Sequence, residues 1–214
     1  MPHQHHDRFG NPKHFADYVR RLAEPARDEW QKPGQVIEAL KLRRRHVVAD
    51  VGAGTGYFSL RLAPHVRHVF ASEVEQRLLG VLVEAIAGAG VSNVTPILAL
   101  PGDPLLPASA CDLVLIVNTF HHFPDPPAYL RKLARSLRAR GRIVNIDFHD
   151  HVDCGGHKTT REDFLRAAAE AGLRLIDEHR FLPRQYFLVL QPGERAAGGE
   201  RGRAKKSRGG HGIG

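Results

Sequence analysis

The chain has few cysteines and no long apolar run. Its 214 residues include two cysteines, Cys111 and Cys154, which are too few for the disulfide framework of a small secreted domain. No stretch of about 18 consecutive apolar residues is present, so we expect no membrane span. Residues 1–7 are polar and lack the apolar core of a secretory signal. These absences predict a cytoplasmic protein.

The basic charge is concentrated at one end of the sequence. The formal net charge is +8, and residues 194–214 hold six basic side chains against two acidic ones. That stretch is rich in glycine and poor in apolar residues, which predicts a disordered tail. A basic tail can attract nucleic acid, although a solubilising extension is the interpretation that we favour. The predicted organisation is a mobile N-terminal segment with a first helix (1–28), one folded domain (29–192) and the basic tail (193–214).

The most informative stretch lies between residues 47 and 63. An apolar strand reaches Asp50 and is followed by the turn Gly52-Ala53-Gly54-Thr55-Gly56 and an amphipathic helix. Glycines permit a sharp turn and let a ligand approach the backbone closely. Dinucleotide-binding loops need a glycine where Tyr57 stands, and phosphate-binding loops need a lysine that this turn lacks. Asp50 instead places a carboxylate beside the turn, which favours a ligand that carries an ammonium group.

A second acidic residue follows at a spacing typical of nucleoside-binding folds. Residues 68–73 are strand-like and end in Glu73, about 20 residues after the first glycine. A carboxylate at that place accepts hydrogen bonds from ribose hydroxyls. Glu75 is the neighbouring alternative, but we interpret it as the start of the next helix, where an acid favours the helix dipole.

Short apolar runs alternate with helical stretches along the chain, which predicts a parallel sheet with helices on both faces. The last two runs are too close for a helix between them and must pair antiparallel. The predicted strands cover residues 46–51, 66–73, 94–98, 112–117, 142–147, 173–180 and 184–190, and the predicted helices cover 15–22, 29–42 with a break near Pro33, 57–63, 76–89, 126–138 and 160–171.

The pattern D-x-G-x-G-x-G at residues 50–56 resembles motif I of the class I S-adenosylmethionine (SAM) methyltransferases. Residues 111–118 look like the fourth strand of that family, and residues 137–143 resemble the turn before its fifth strand. Residues 159–173 are similar to a helix–strand junction of its small-molecule branch, which includes the ubiquinone and menaquinone methyltransferases. The resemblance implies an α/β, Rossmann-like, seven-stranded mixed sheet: five parallel strands plus a C-terminal antiparallel hairpin, flanked by helices.

The resemblance also implies SAM as the methyl donor and the residues that hold it. The implied cofactor-binding residues are Asp50, Gly52, Ala53, Gly54, Gly56, Glu73, Asp103 and Asn118. Family members often carry an acid directly after the third strand for the adenine amino group, but residues 99 and 100 are alanine and leucine here. Either Asp103 takes that role across a longer loop, or backbone groups bind the adenine.

Histidines follow the fourth and fifth predicted strands. His121 and His122 lie after the fourth strand, in a loop that the resemblance places beside the transferable methyl group. Either imidazole could act as a general base on a hydroxyl or an acidic carbon. Capping of the next helix and packing on Phe123 are the alternative roles. The histidines of residues 147–157 match no zinc spacing, so we expect no metal.

Two further side chains have open roles. Trp30 either lines a cover over the cofactor or anchors the N-terminal helices on the core. Gln185 lies on the last strand, from which it could reach the acceptor pocket.

The sequence therefore predicts a SAM-dependent methyltransferase that acts on a small organic acceptor. Two alternatives stay open: an RNA or protein methyltransferase guided by the basic tail, and a non-catalytic SAM-binding regulatory protein. The motif for binding an exocyclic base amine, Asn/Asp-Pro-Pro-Tyr, is absent after the fourth strand, which disfavours nucleobase N-methylation. The acceptor, the methylated atom and the oligomeric state do not follow from the sequence.

Overall fold

Seven strands form one mixed sheet in the order β3-β2-β1-β4-β5-β7-β6. The computed structural model describes residues 15–152 and 159–193. The strands are β1 (Val47–Val51), β2 (His68–Glu73), β3 (Val94–Leu98), β4 (Cys111–Val117), β5 (Leu137–Phe148), β6 (Leu173–His179) and β7 (Gln185–Pro192). The first five are parallel, and β7 lies antiparallel between β5 and β6. The predicted fold class is confirmed.

Helices cover both faces of this sheet. They are α1 (Phe15–Leu22), α2 (Arg27–Gln31), α3 (Pro33–Ala39), α4 (Tyr57–Leu62), α5 (Gln76–Ala89), α6 (Pro126–Ser136) and α7 (Arg161–Glu170), with short 3-10 helices at Ala63–His65 and Phe120–His122. One core packs α3, α4 and α5 on the sheet, and a second core packs α6 and α7 on the opposite face. In the described residues, no helix is both long and apolar enough to cross a membrane.

Local sequence signals explain most of the element ends. Strand β1 is buried along its whole length, as a central parallel strand requires, and its sequence is accordingly apolar except for Asp50. The Asp125 and Thr160 side chains accept backbone hydrogen bonds at the starts of α6 and α7. Gly90 ends α5 with a φ of 63°, a conformation in which a Cβ is unfavourable.

Strand β5 is longer than the sequence predicts. Residues 137–141 were expected to form a turn before a strand at 142–147, yet β5 begins at Leu137. The pairing with β4 shifts between Cys111 and Leu113, and Arg140 has a φ of 65°. A Cβ at Gly141 would lie 2.9 Å from the Arg138 carbonyl oxygen. The expected turn is therefore an irregularity inside a continuous strand, where only glycine fits.

The N-terminal helices lie against the sheet domain rather than apart from it. The predicted helix at 29–42 is broken at Lys32, whose φ is 44°, directly before Pro33. The break follows from the restriction that proline places on the residue before it. Helix α2 begins at Arg27, so the predicted boundary between residues 28 and 29 falls inside a helix. Residues 1–14, Cys154 and the tail from residue 194 lie outside the described residues.

Candidate functional site

The glycine turn adopts a backbone that other residues would strain. Gly52, Gly54 and Gly56 have φ values of 74°, 56° and 88°, in the region that favours glycine. A Cβ at Gly52 would lie 2.8 Å from the Cβ of Thr119, and one at Gly56 would lie 2.6 Å from Leu82. The first and third glycines therefore allow close packing, whereas Gly54 has only Leu22 nearby, at 3.7 Å.

Asp50 is buried beneath this turn. Its side chain lies on β1 and is 3% exposed. The Ser59 hydroxyl, on α4, donates a hydrogen bond to it at 2.6 Å. Burial raises the pKa of Asp50 to about 6, and the Ser59 bond opposes that rise. The charged form of Asp50 is therefore costly unless a positive group lies near it.

Glu73 joins the end of β2 to the same turn. Its carboxylate accepts backbone N–H bonds from Gly54 at 2.8 Å, Val74 at 2.8 Å and Glu75 at 2.9 Å. Burial raises the pKa of Glu73, and these backbone bonds oppose the rise. Glu75, in contrast, caps the start of α5 by accepting a bond from the Arg77 N–H, as expected. The oxygen of Glu73 that faces Gly54 keeps a lone pair for a further donor.

Helices α1 and α2 lie over the turn. Burial and the nearby Glu73 carboxylate raise the pKa of Tyr18, on α1. Arg27, on α2, stacks its guanidinium 4.0 Å from the Tyr57 ring centroid and donates to the Leu22 carbonyl. Burial lowers the pKa of Arg27, while the nearby Tyr57 and Asp50 favour its charged form. The N-terminal helices thus bring a cation and a phenol to the glycine turn.

Trp30, on α2, contacts the end of β5. Its ring centroid is 5.4 Å from that of Phe148 at the end of β5, and the Arg184 guanidinium lies 5.0 Å from the Trp30 ring. Trp30 therefore anchors α2 at the carboxyl edge of the sheet, which favours the anchoring role over the lining role.

A group of polar side chains lies farther along the same edge, where β4 and β5 end and β7 begins. We call Asn118, His121, Asp147 and Gln185 the acceptor-side cluster. Gln185 Nε2 donates to Asn118 Oδ1 at 2.7 Å, and His121 Nδ1 lies 3.6 Å from Asp147 Oδ2. Asp147 and Gln185 are fully buried. Within the described residues, His121 Nδ1, Asp147 Oδ2 and Gln185 Oε1 have no hydrogen-bond partner.

Unpartnered buried polar atoms are uncommon in folded proteins, and each one invites an explanation. Here three of them occur in one cluster at the edge where ligands bind in open α/β sheets. Thr119 joins this cluster to the glycine turn, because it follows Asn118 and packs against Gly52. The two groups of residues therefore border one region.

The structure also shows ring contacts among the histidines near this edge of the sheet. The His122 ring centroid is 4.1 Å from that of His121, and the rings of His149 and His151 stack at 5.3 Å. In the part of the chain that is described, no three His, Cys, Asp or Glu side chains are grouped so as to hold a metal ion. His157, which the sequence analysis also considered, lies outside that part.

Asp103 is already engaged by the protein. It accepts the Leu105 N–H at 2.9 Å and forms a 2.9 Å ion pair with Lys132 on α6. These bonds lower its pKa. The loop around it exposes about half of the Leu100 and Leu105 side chains, which form an apolar surface near the end of β3. An adenine contact from Asp103 stays a prediction, and the backbone alternative stays open with it.

Comparison with known proteins agrees with this geometry. Residues 49–145 match the family model described as a methyltransferase domain. The matched residues make up just under half of this chain and are similar to that domain. The chain is similar in fold to a SAM dependent methyltransferase from Aquifex aeolicus, with a TM-score of 0.76 and 20% identity over 81% of this chain and 96% of that one. At 20% identity this neighbour shows a shared fold, and the methyl donor belongs to the proposal below.

Two curated relatives match part of this chain. The uncharacterized methyltransferase YcgJ of Bacillus subtilis (strain 168) is 27% identical over 125 residues, which are 58% of this chain and 49% of that protein. The ribosomal RNA small subunit methyltransferase A of Staphylococcus carnosus (strain TM300) is 29% identical over 120 residues, 51% of this chain and 38% of that protein. The chain spans half or less of the length of these relatives. Similarity to the ubiquinone and menaquinone branch stays a prediction.

The sequence identified most of the residues around the glycine turn but only part of the acceptor-side cluster. Asp50, the three glycines and Glu73 lie together, as expected, and Asn118, His121 and Gln185 lie together farther along the edge. Asp147 was missed as a site residue, although an acid at the end of a buried strand could have signalled it. Tyr18 and Arg27 were missed because no local pattern relates helices α1 and α2 to the turn.

Proposed function

We propose that this chain transfers a methyl group from SAM to a small organic acceptor. The observation that carries the proposal is the joint arrangement of three positive-φ glycines with two buried carboxylates, Asp50 and Glu73. The chemistry that SAM supplies when bound is an electrophilic methyl carbon on a positively charged sulfur.

The residues at the turn fit such a cofactor. The backbone at Gly54 is lined by the Leu22 side chain at 3.7 Å without a clash, and Glu73 has acceptor capacity for ribose hydroxyls. A positive ligand near Asp50 would offset the cost of its buried charge. Arg27 offers a guanidinium for a carboxylate group. The predicted cofactor-binding residues also include Ala53, Asn118 and Asp103, for which we propose no specific contact.

At the acceptor-side cluster, His121 would hold the acceptor and accept its proton. Positioning of the two reactants can supply roughly 7–11 kcal/mol of the barrier reduction in favourable cases, and a general base adds about 10²- to 10⁴-fold. His121 also lines a surface cavity with Phe120, Phe123 and Thr159, through which a small acceptor could enter.

The experiment is calorimetric titration followed by a transfer assay. We expect SAM and S-adenosylhomocysteine to bind the full-length protein and NAD to give no heat. Radiolabel from methyl-tritiated SAM should then enter small acceptors. Binding of NAD but not SAM would contradict the proposal, and SAM binding without transfer to any acceptor would favour the regulatory alternative.

RNA methylation is the second candidate, because one relative is named a ribosomal RNA methyltransferase and residues 194–214 are basic. It is tested with purified small ribosomal subunits as acceptor, using the full chain and a variant without residues 194–214. Label in RNA that is lost on deletion would establish this candidate. Label in small molecules that is unchanged by deletion would exclude a requirement for the tail.

A further inference from the structure

The Asp147 carboxylate is buried without a cationic partner in hydrogen-bond contact. It is fully buried on β5, and its Oδ1 accepts the Phe148 N–H at 2.9 Å. Its Oδ2 points to His121 Nδ1 at 3.6 Å. This is within ion-pair distance but longer than a hydrogen bond. A buried carboxylate in this state is costly unless a positive charge forms beside it.

Within the described residues, Tyr186, Asn118 and Gln185 also lie in this region but do not supply that charge. Tyr186, opposite Asp147 on β7, has a raised pKa because of burial and the Asp147 charge. Asn118 and Gln185 are neutral and bind each other. His121 is therefore the side chain that can become positive next to Asp147 during a reaction.

We propose that Asp147 is a positioning residue for His121, and that the acceptor group is a neutral hydroxyl. This inference rests on the proposed function. Asp147 holds the His121 proton on Nδ1, which leaves the Nε2 lone pair free to act as the base. The arrangement follows from the two nitrogens of a neutral imidazole, of which one donates and one accepts.

The proposed methyl transfer involves the acceptor hydroxyl, His121 and SAM. The acceptor hydroxyl gives its proton to His121 Nε2 while its oxygen forms a bond to the methyl carbon. The bond from that carbon to sulfur breaks, and its electron pair remains on the neutral sulfur of S-adenosylhomocysteine. His121 becomes an imidazolium beside the Asp147 carboxylate and later releases the proton to water.

The same charge arrangement disfavours other acceptors. A carboxylate acceptor needs no base and would be repelled by Asp147. A neutral amine, such as an aromatic one, attacks through its own lone pair and needs no proton removal before attack. A hydroxyl gains most from a base, because its neutral oxygen is a weak nucleophile. A neutral hydroxyl thus fits both His121 and the buried Asp147 carboxylate.

The first test needs no turnover. Long-range nitrogen–proton NMR of the imidazoles, assigned with His121→Gln, reports which nitrogen of His121 carries the proton. We expect the proton on Nδ1 in the unaltered protein and a shift toward Nε2 in Asp147→Asn. Asp150→Asn, which changes an exposed carboxylate three residues away, should leave the signal unchanged. A His121 proton on Nε2 in the unaltered protein would overturn the inference.

The second test compares acceptors of different acidity. The probes are 4-methylphenol and the more acidic 4-nitrophenol, assayed with Asp147→Asn at saturating SAM. We expect kcat to fall at least about 10-fold for 4-methylphenol and clearly less for 4-nitrophenol, with unchanged SAM affinity. Equal losses for both phenols would indicate a merely structural role and overturn the inference.

A wider panel separates this inference from the proposed function. Label that enters only amines, thiols or carboxylates would overturn the hydroxyl assignment and leave the proposed function in place. Absence of SAM binding, or binding without label in any acceptor, would overturn both.

Discussion

The carboxyl edge of the sheet has two halves, the glycine turn with its two carboxylates and the acceptor-side cluster. The two halves are built from different kinds of groups. At β1 and β2, the site consists of backbone groups, three glycines and two carboxylates, and its polar groups are largely satisfied by nearby residues. At β4, β5 and β7, the acceptor-side cluster consists of side chains on β5, on β7 and directly after β4, and within the described residues three of its buried atoms lack hydrogen-bond partners. In the first half the carboxylates already accept protein hydrogen bonds and Glu73 keeps a lone pair for a further donor, whereas the second half has buried polar atoms with no described hydrogen bond.

This difference reflects what each half has to recognise. A turn made of backbone can hold the same cofactor in proteins whose other residues differ, because its shape depends on glycine conformations. The acceptor-side cluster depends on individual side chains, so its chemistry can differ between relatives with the same fold. We therefore expect substitutions in the first half to affect SAM affinity and those in the second to affect turnover.

His121→Gln should have the largest effect. Glutamine keeps hydrogen-bonding groups but cannot accept a proton, so we expect kcat to fall about 10²- to 10⁴-fold. SAM affinity should stay within about 2-fold, as calorimetry can check. A larger loss in His122→Gln than in His121→Gln would move the role to the neighbouring histidine, and a loss of SAM affinity would break the division between the two halves.

Gly52→Ala should affect binding next most strongly. The new Cβ would meet the Thr119 side chain at a φ of 74°, which costs about 1–2 kcal/mol for the backbone alone. We expect SAM affinity to fall about 100-fold and thermal stability to fall as well. Gly80→Ala is the control, because its helical site has open space and alanine there is favourable by about 0.5–1 kcal/mol. Normal SAM binding by Gly52→Ala would refute the need for glycine at this position.

Glu73→Gln should weaken SAM binding by about 10- to 100-fold, since a charge-assisted hydrogen bond contributes about 1.5–3 kcal/mol. The amide would also present a donor toward a backbone N–H that now bonds the carboxylate. Glu75→Gln, which alters the neighbouring cap of α5, is the matched control in the same titration. Equal effects of the two substitutions would move the ribose contact away from Glu73.

Asp50→Asn should have the most unusual effect, because it changes stability and SAM affinity in opposite directions. The folded pKa of Asp50 is about 6, above its unfolded value of about 4, so its charge lowers stability as pH rises through that interval. Asparagine removes this cost, up to about 3 kcal/mol. We expect Tm without SAM to increase at pH 7.5 but not at pH 4, while SAM affinity decreases. A lower Tm at pH 7.5 would contradict the assigned cost of the charge.

The fold and the first half could be predicted because their signals are local. Strand–helix alternation and the Asp50–Gly56 pattern lie in continuous sequence, and Glu73 follows at a fixed spacing. The acceptor-side cluster could be predicted only in part. The contact between His121 and Asp147 depends on the register of β4 and β5, and the Asn118–Gln185 bond depends on the place of β7 beside β5. A single sequence does not specify such long-range pairing residue by residue.

The contacts of α1 and α2 with the glycine turn and the irregular start of β5 were missed for related reasons. Tyr18 and Arg27 reach the glycine turn through tertiary packing. The sequence of a short amphipathic helix does not indicate which part of the fold the helix packs against. At β5, the run Arg138-Ala139-Arg140-Gly141 has the composition of a turn. Pairing with β4 nevertheless keeps it within a strand, which is a case of tertiary context overriding local preference.

The most direct measurement of the central claim is a crystal structure of the full chain with S-adenosylhomocysteine. The account predicts that the ribose hydroxyls contact Glu73, that the nucleoside crosses the turn at Gly52–Gly56, and that the sulfur faces the space beside Asn118 and His121. A nucleoside bound elsewhere, or a sulfur directed away from the acceptor-side cluster, would contradict it.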